Sequence, residues 1–150
     1  MTIHATKVGR DLHITVEGVD DPFVIRPLPG AAGLQITDTY LNTLVGSAMA
    51  AETTEALMMA VDGARRDDDG RWIPVPEDEQ TNYARIGMEL SQAEAETVLM
   101  PAFFWQTILG VDGVNAYIEG GEGIAGTLKA SGALTARLGR LTRRTSPSSE

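Results

Sequence analysis

Cysteine is absent from the chain, so neither disulfide staples nor thiolate chemistry is open to it. A secreted domain of this size often relies on such staples, and doing without them favours the cytosol. Long apolar runs are missing too. No stretch reaches the roughly 20 residues that cross a bilayer, and the opening MTIHATKVGRDLHITVEG has no basic segment feeding an apolar run. Neither export by a standard signal nor membrane insertion is expected. Positive charge is scarce: 12 Lys and Arg stand against 21 Asp and Glu, a net charge of -9 with a pI near 4.6. Such a field repels phosphate backbones and argues against nucleic acid as a partner.

What is present is enough to fold. A chain of 150 residues, 43% hydrophobic and 22% charged, can bury one core and is short for two domains. The charge is unevenly spread. From residue 137 onward Arg137, Arg140, Arg143 and Arg144 face only Glu150, a balance of +3 that leaves -12 on the rest. We therefore expect a single domain over residues 1–136 and a basic, Ser/Pro-containing, disordered tail over 137–150.

The pattern predicts an α+β fold: a small antiparallel β-meander at 3–28, then a helical body of four to six helices at 29–136. Leu12, Ile14 and Val16 alternate with His13 and Thr15, Phe23-Val24-Ile25 forms a second apolar run, and Gly9-Arg10 can close a hairpin with Ile3 to Val8. A sheet so small needs helices against one face. A first helix is expected from Pro29 to Gly46 on the spacing of Leu34, Thr37, Tyr40, Leu41, Leu44, Val45 and Ala48. A second runs from Thr54 to Arg65. Residues 66–76, charged and then proline-punctuated, read as a loop.

Glu77, Asp78 and Glu79 suit the start of a third helix that ends near Leu90. Ser91-Gln92-Ala93-Glu94 is a capping box, the clearest helix start in the chain. That fourth helix should reach Leu109 and stop at Gly110, with Pro101 kinking or breaking it. Asp112 can cap a short helix that ends at Gly120-Gly121. After a glycine-rich segment to Gly132, Leu134, Leu138 and Leu141 suggest a last one, and Thr145 to Glu150 reads as disordered.

No catalytic constellation closes. His4 and His13 lack a third ligand, Asp67-Asp68-Asp69-Gly70 lacks the spacing of a calcium loop, and no cofactor is expected. Carboxylate pairs are plentiful, yet helix first turns and loops account for most of them. Ser47, Ser91, Ser131 and Ser146 have no nucleophile elbow around them, and the glycine clusters lack the Lys-Ser/Thr of a phosphate loop. The densest aromatic feature is Phe103-Phe104-Trp105, which helical spacing sends in different directions. At least one should leave the main seam, either to pack on another helix or to anchor a partner. Met49, Met58, Met59 and Met88 pose the same choice between core filling and an adaptable surface.

The succession of Glu77-Asp78-Glu79 to Tyr83, the helix start at Ser91 to Glu94, Ala102-Phe103-Phe104-Trp105, and Val114-Asn115-Ala116-Tyr117 before Gly120-Gly121 resembles the tail assembly chaperones of siphophages infecting actinobacteria. The likeness spans about Pro22 to Glu122 in degenerate motifs. It implies a factor of the host cytoplasm that is not retained in the virion. Its implied partners are the tape measure protein, the major tail protein, a longer frameshift product of the same gene, and a second copy of itself. Phe103, Phe104, Trp105, Tyr117, Met58 and Met59 are the expected partner contacts, in a helix-in-groove mode. The competing expectations are a virion structural protein of the tail or head-completion type, and a small hydrolase built on paired carboxylates.

Overall fold

The computed structural model describes residues 3–46 and 49–145; Ser47, Ala48 and the expected disorder of 146–150 lie outside them. The fold is α+β, a three-stranded antiparallel sheet followed by six α-helices among the described residues. Strands β1 (Ile3–Val8), β2 (Asp11–Val16) and β3 (Phe23–Ile25) form the expected meander in the order β1-β2-β3. Val8 pairs with Asp11 around Gly9-Arg10, and Gly9 has φ 63°, the left-handed value that a two-residue hairpin asks of its first central residue. The period of two puts Leu12, Ile14, Val16, Phe23 and Ile25 on one fully buried face. His4 and His13 share the opposite face but pair with Thr15 and Thr6, and no group of three metal-ligating residues occurs among the described residues.

Helices α1 (Gly30–Leu44), α2 (Ala50–Asp62), α3 (Thr81–Glu89), α4 (Gln92–Trp105), α5 (Val111–Glu119) and α6 (Gly123–Thr145) make the body. Helix α4 is its axis: it packs against α2, α3, α5, α6 and β2. Its start is the expected capping box, with Glu94 N–H donating to Ser91 Oγ at 3.2 Å and Ser91 N–H donating to the Glu94 carboxylate at 2.8 Å. The helix runs unbroken across Pro101, which lies buried in the core. Packing on every side offsets the one hydrogen bond that proline removes. It ends at Trp105 rather than Leu109, and Gly110, at φ 55°, precedes α5.

Several expectations need correction. Residues 66–76 are not a plain loop: β4 (Ala64–Arg66) and β5 (Trp72–Pro74) pair as a second antiparallel hairpin. Asp67 organises its tip by accepting the N–H groups of Asp69 and Arg71, each at 2.9 Å, while Gln35 of α1 bonds both the N–H and the carbonyl of Trp72. Glu77, Asp78 and Glu79 form a separate 3-10 turn before α3. Helix α2 starts at Ala50, four residues ahead of Thr54, and stops at Asp62 because Gly63 turns the chain into β4 with φ 104°. The glycine-rich segment is itself helical, since α6 begins at Gly123 and continues through Arg137 to Thr145, across the expected start of the tail.

Helix α1 buries a different face from the one its large residues suggest. Ala32, Gly33, Ile36 and Thr37 face inward, whereas Leu34, Leu44 and Val45 are 61%, 53% and 77% exposed. Gly33 sets this rotation. A Cβ there would lie 2.6 Å from the carbonyl oxygen of Gln106, so only glycine lets the two backbones come this close. The close contact takes the small side of the helix and turns the leucines out.

Candidate functional site

The expected contact residues are almost all in the core. Phe103, Phe104 and Tyr117 are buried, as are Trp105 and Met59. The three consecutive aromatic residues do point in different directions, but a helix surrounded on all sides gives each direction a partner. Tyr40 of α1 stacks at 4.8 Å from Phe103 and 5.8 Å from Phe104, and the two phenylalanine rings are 5.2 Å apart edge to face. Of the proposed contacts only Met58 is partly open, in a hollow with Glu77, Gln80, Tyr83 and Ala84. The aromatic run therefore cannot present an anchor without unpacking the core.

Tyr117 illustrates the cost. Its hydroxyl accepts the N–H of Gly123 at 3.0 Å and thereby ties α5 to the start of α6. Burial, together with the nearby charges of Glu96 and Glu122, pushes its pKa up to about 12 against the opposing hydrogen bond. An unfolded tyrosine titrates near about 10. A raised folded value means that the Tyr117 contribution to stability is complete below about 10 and is lost as pH rises through about 12. Denaturant midpoints should accordingly fall more steeply across that alkaline window in the wild type than in Tyr117→Phe. Parallel slopes would show that this hydroxyl does not carry the effect.

A polar cleft of about 490 Å³ lies where β3, α2 and α3 meet, lined by Asp62, Asn82, Arg85, Glu79, Arg26 and neighbouring apolar atoms. Its Asp62, Asn82 and Arg85 have structural partners. Asp62 accepts the N–H groups of Asn82 and Tyr83 at 2.7 and 2.8 Å, capping α3 from another helix. Burial raises its pKa, and those two hydrogen bonds oppose the shift. Asn82 Nδ2 donates to the carbonyls of Val24 and Val61, both at 2.8 Å. Arg85 lies over the Phe23 ring at 4.2 Å, donates to the carbonyls of Asp21 and Pro22, and pairs with Glu89 at 3.0 Å. The Glu89 contact raises the arginine's pKa and lowers the carboxylate's. The cleft thus pins the sheet to the helical body.

Sequence reasoning did not single out this set, nor Gln106. The Gln106 side chain accepts the Leu28 N–H at 2.9 Å and donates to the carbonyls of Arg26 and Ala60 at 2.8 and 3.0 Å, fastening the exit of the sheet to α2 and α4. Polar residues at such crossings carry no local pattern, because their partners lie 46 to 80 residues away.

The other notable surface is apolar. Helices α1 and α6 run antiparallel: Tyr40 and Ser131 share a hydrogen bond at 2.5 Å, and further along Leu34 lines a groove of about 350 Å³ with Ile108, Leu138 and Leu141. Residues 124, 128, 131 and 138 fall on one helical face at spacings of three, four and seven. Leu44 of α1 and Ile124 and Leu128 of α6 are also exposed, at 53%, 75% and 68%. Leu34 and Ile108, 61% and 48% exposed, form apolar rims of the groove. No helix among the described residues is long and apolar enough to cross a membrane.

Compared with known proteins, the chain matches no family model, and no curated protein or solved structure is significantly similar to it.

Proposed function

We propose that this protein is a phage tail assembly chaperone of the host cytoplasm, a binding protein rather than an enzyme. It holds the tape measure protein, assists the major tail protein to polymerise around it, and leaves before the virion is complete. The longer frameshift product of its gene is a further expected partner. One observation carries most of the support: an apolar groove between α1 and α6, lined by Leu34, Ile108, Leu138 and Leu141, opens on a body of net charge -9. Monomeric soluble proteins scatter exposed aliphatic residues, and several gathered at one groove suit a partner. The acidic body keeps a factor with a sticky surface dispersed. The polar cleft favours the same reading, because its Asp62, Asn82 and Arg85 are engaged in backbone hydrogen bonds.

The test is co-expression with the tape measure protein encoded in the same genome. The chain should keep it soluble and co-purify with it, and mass spectrometry of purified particles should not find the chain. Its recovery in particles at the level of tail components would instead establish a virion structural protein.

A further inference from the structure

We propose that the hollow at Met58 is a docking point for a partner protein, and that its occupant is a basic side chain, arginine or lysine, on a segment that is otherwise apolar. The proposal rests on the binding reading above only for the claim that a protein partner exists. The chemistry of the hollow supplies the rest. About 380 Å³ in volume, it lies between α2 and α3 and is lined by Met58, Glu77, Gln80, Tyr83 and Ala84. Met58 and Ala84 give it an apolar wall of the kind that covers the methylene stem of a long basic side chain, and the methionine can adjust to that stem. For the charged head, Glu77 supplies a carboxylate and Tyr83 an aromatic ring, two groups that attract cations.

The sign of the occupant follows from the lining. Glu77 is the one charged residue in it, is exposed, and takes part in none of the ion pairs among the described residues. Gln80 beside it is engaged elsewhere, with its Nε2 donating to the Val75 carbonyl at 2.8 Å. The carboxylate is thus left for a cation from outside, and an acidic segment would bring like charge against it. The other openings select no sign: the α1–α6 groove has no charged residue in its lining, and the polar cleft has Arg26 and Arg85 as well as Asp62 and Glu79. The apolar part of the occupant follows from what adjoins. Tyr83 also borders a hollow of about 310 Å³ between α3 and α4, where Leu90, Ala95 and Leu99 contribute and no residue is charged. Met88, 87% exposed, lies one turn beyond Ala84 on the same face of α3. A segment seated here by its basic residue therefore meets apolar surface next to it.

The experiment uses the full chain and two fluorescein-labelled peptides of one leucine-containing sequence, with arginines or glutamates at the same positions, read by anisotropy. The arginine peptide should bind at least about tenfold more tightly. An acidic body attracts any basic peptide at a distance, so two single-charge variants separate the local contact from the general field. Glu77→Gln should weaken the arginine peptide about fivefold or more, whereas Glu17→Gln, which removes the same charge at an exposed position beside the sheet, should stay within about twofold. Ala84→Arg, at an exposed helical position, should block the hollow and abolish binding with the thermal midpoint unchanged. Equal affinity for both peptides, or equal losses for Glu77→Gln and Glu17→Gln, overturns the proposal. So does full affinity in Ala84→Arg, or a dimer in sedimentation that Ala84→Arg dissolves, which would make a second copy the occupant. The fate of the chain in purified particles bears on the assembly role alone, so the two readings can fail separately.

Discussion

Replacing Phe104 by alanine should destabilise the protein by about 3–5 kcal/mol, the usual cost of emptying a phenylalanine site in a packed core. A domain of this kind has roughly 5–15 kcal/mol in total, so the variant sits near the edge of folding. The expectation follows from position. Phe104 is fully buried, meets Phe103 and Tyr40 edge to face, and its Cβ and carbonyl oxygen would both lie 2.9 Å from a Cβ placed on Gly113 of α5. Neighbours held so closely cannot collapse into the void, which keeps the cost high. Urea titration is the measurement, with a lower midpoint at unchanged slope as the expected result. Leu128→Ala, at a site 68% exposed, should stay within about 0.5 kcal/mol of wild type. An unchanged urea midpoint for Phe104→Ala would mean that the aromatic run is surface after all.

That contrast marks where the sequence could be read and where it could not. Strand β2 was legible because alternation is a local signal and only one face of the sheet is covered. The start of α4 was legible because Ser91 and Glu94 satisfy each other's backbone groups within three residues. Strands β4 and β5 were not. Each has three residues, one includes Pro74, and what holds them is remote: Gln35 bonding Trp72, and Arg66 over the Trp72 ring at 4.9 Å. The aromatic run misled for a different reason. Its spacing correctly indicated divergent side chains, but only the packing of four helices and a strand around α4 decides that no direction leads to solvent. The apolar surface was hidden in α1 by the same limit, since counting large residues assigns Leu34 to the core while Gly33 and Ala32 win the inward face by size.

Helix α6 offers the sharpest separation of local propensity from packing, because one substitution should act with opposite sign along a single element. Gly132 and Gly139 have open space where a Cβ would go, so alanine at either should stabilise by up to about 1 kcal/mol through helix propensity alone. At Gly126 the same Cβ would overlap the backbone carbonyl oxygen of Tyr117 and lie 3.1 Å from its ring. Neither obstacle can yield: the carbonyl belongs to α5, and the ring is buried with its hydroxyl bonded to Gly123. Gly126→Ala should therefore lose about 2–3 kcal/mol to overpacking, more than the propensity gain returns. Thermal unfolding of the three variants decides it, and a stabilising Gly126→Ala would mean that α5 and α6 do not approach at this point.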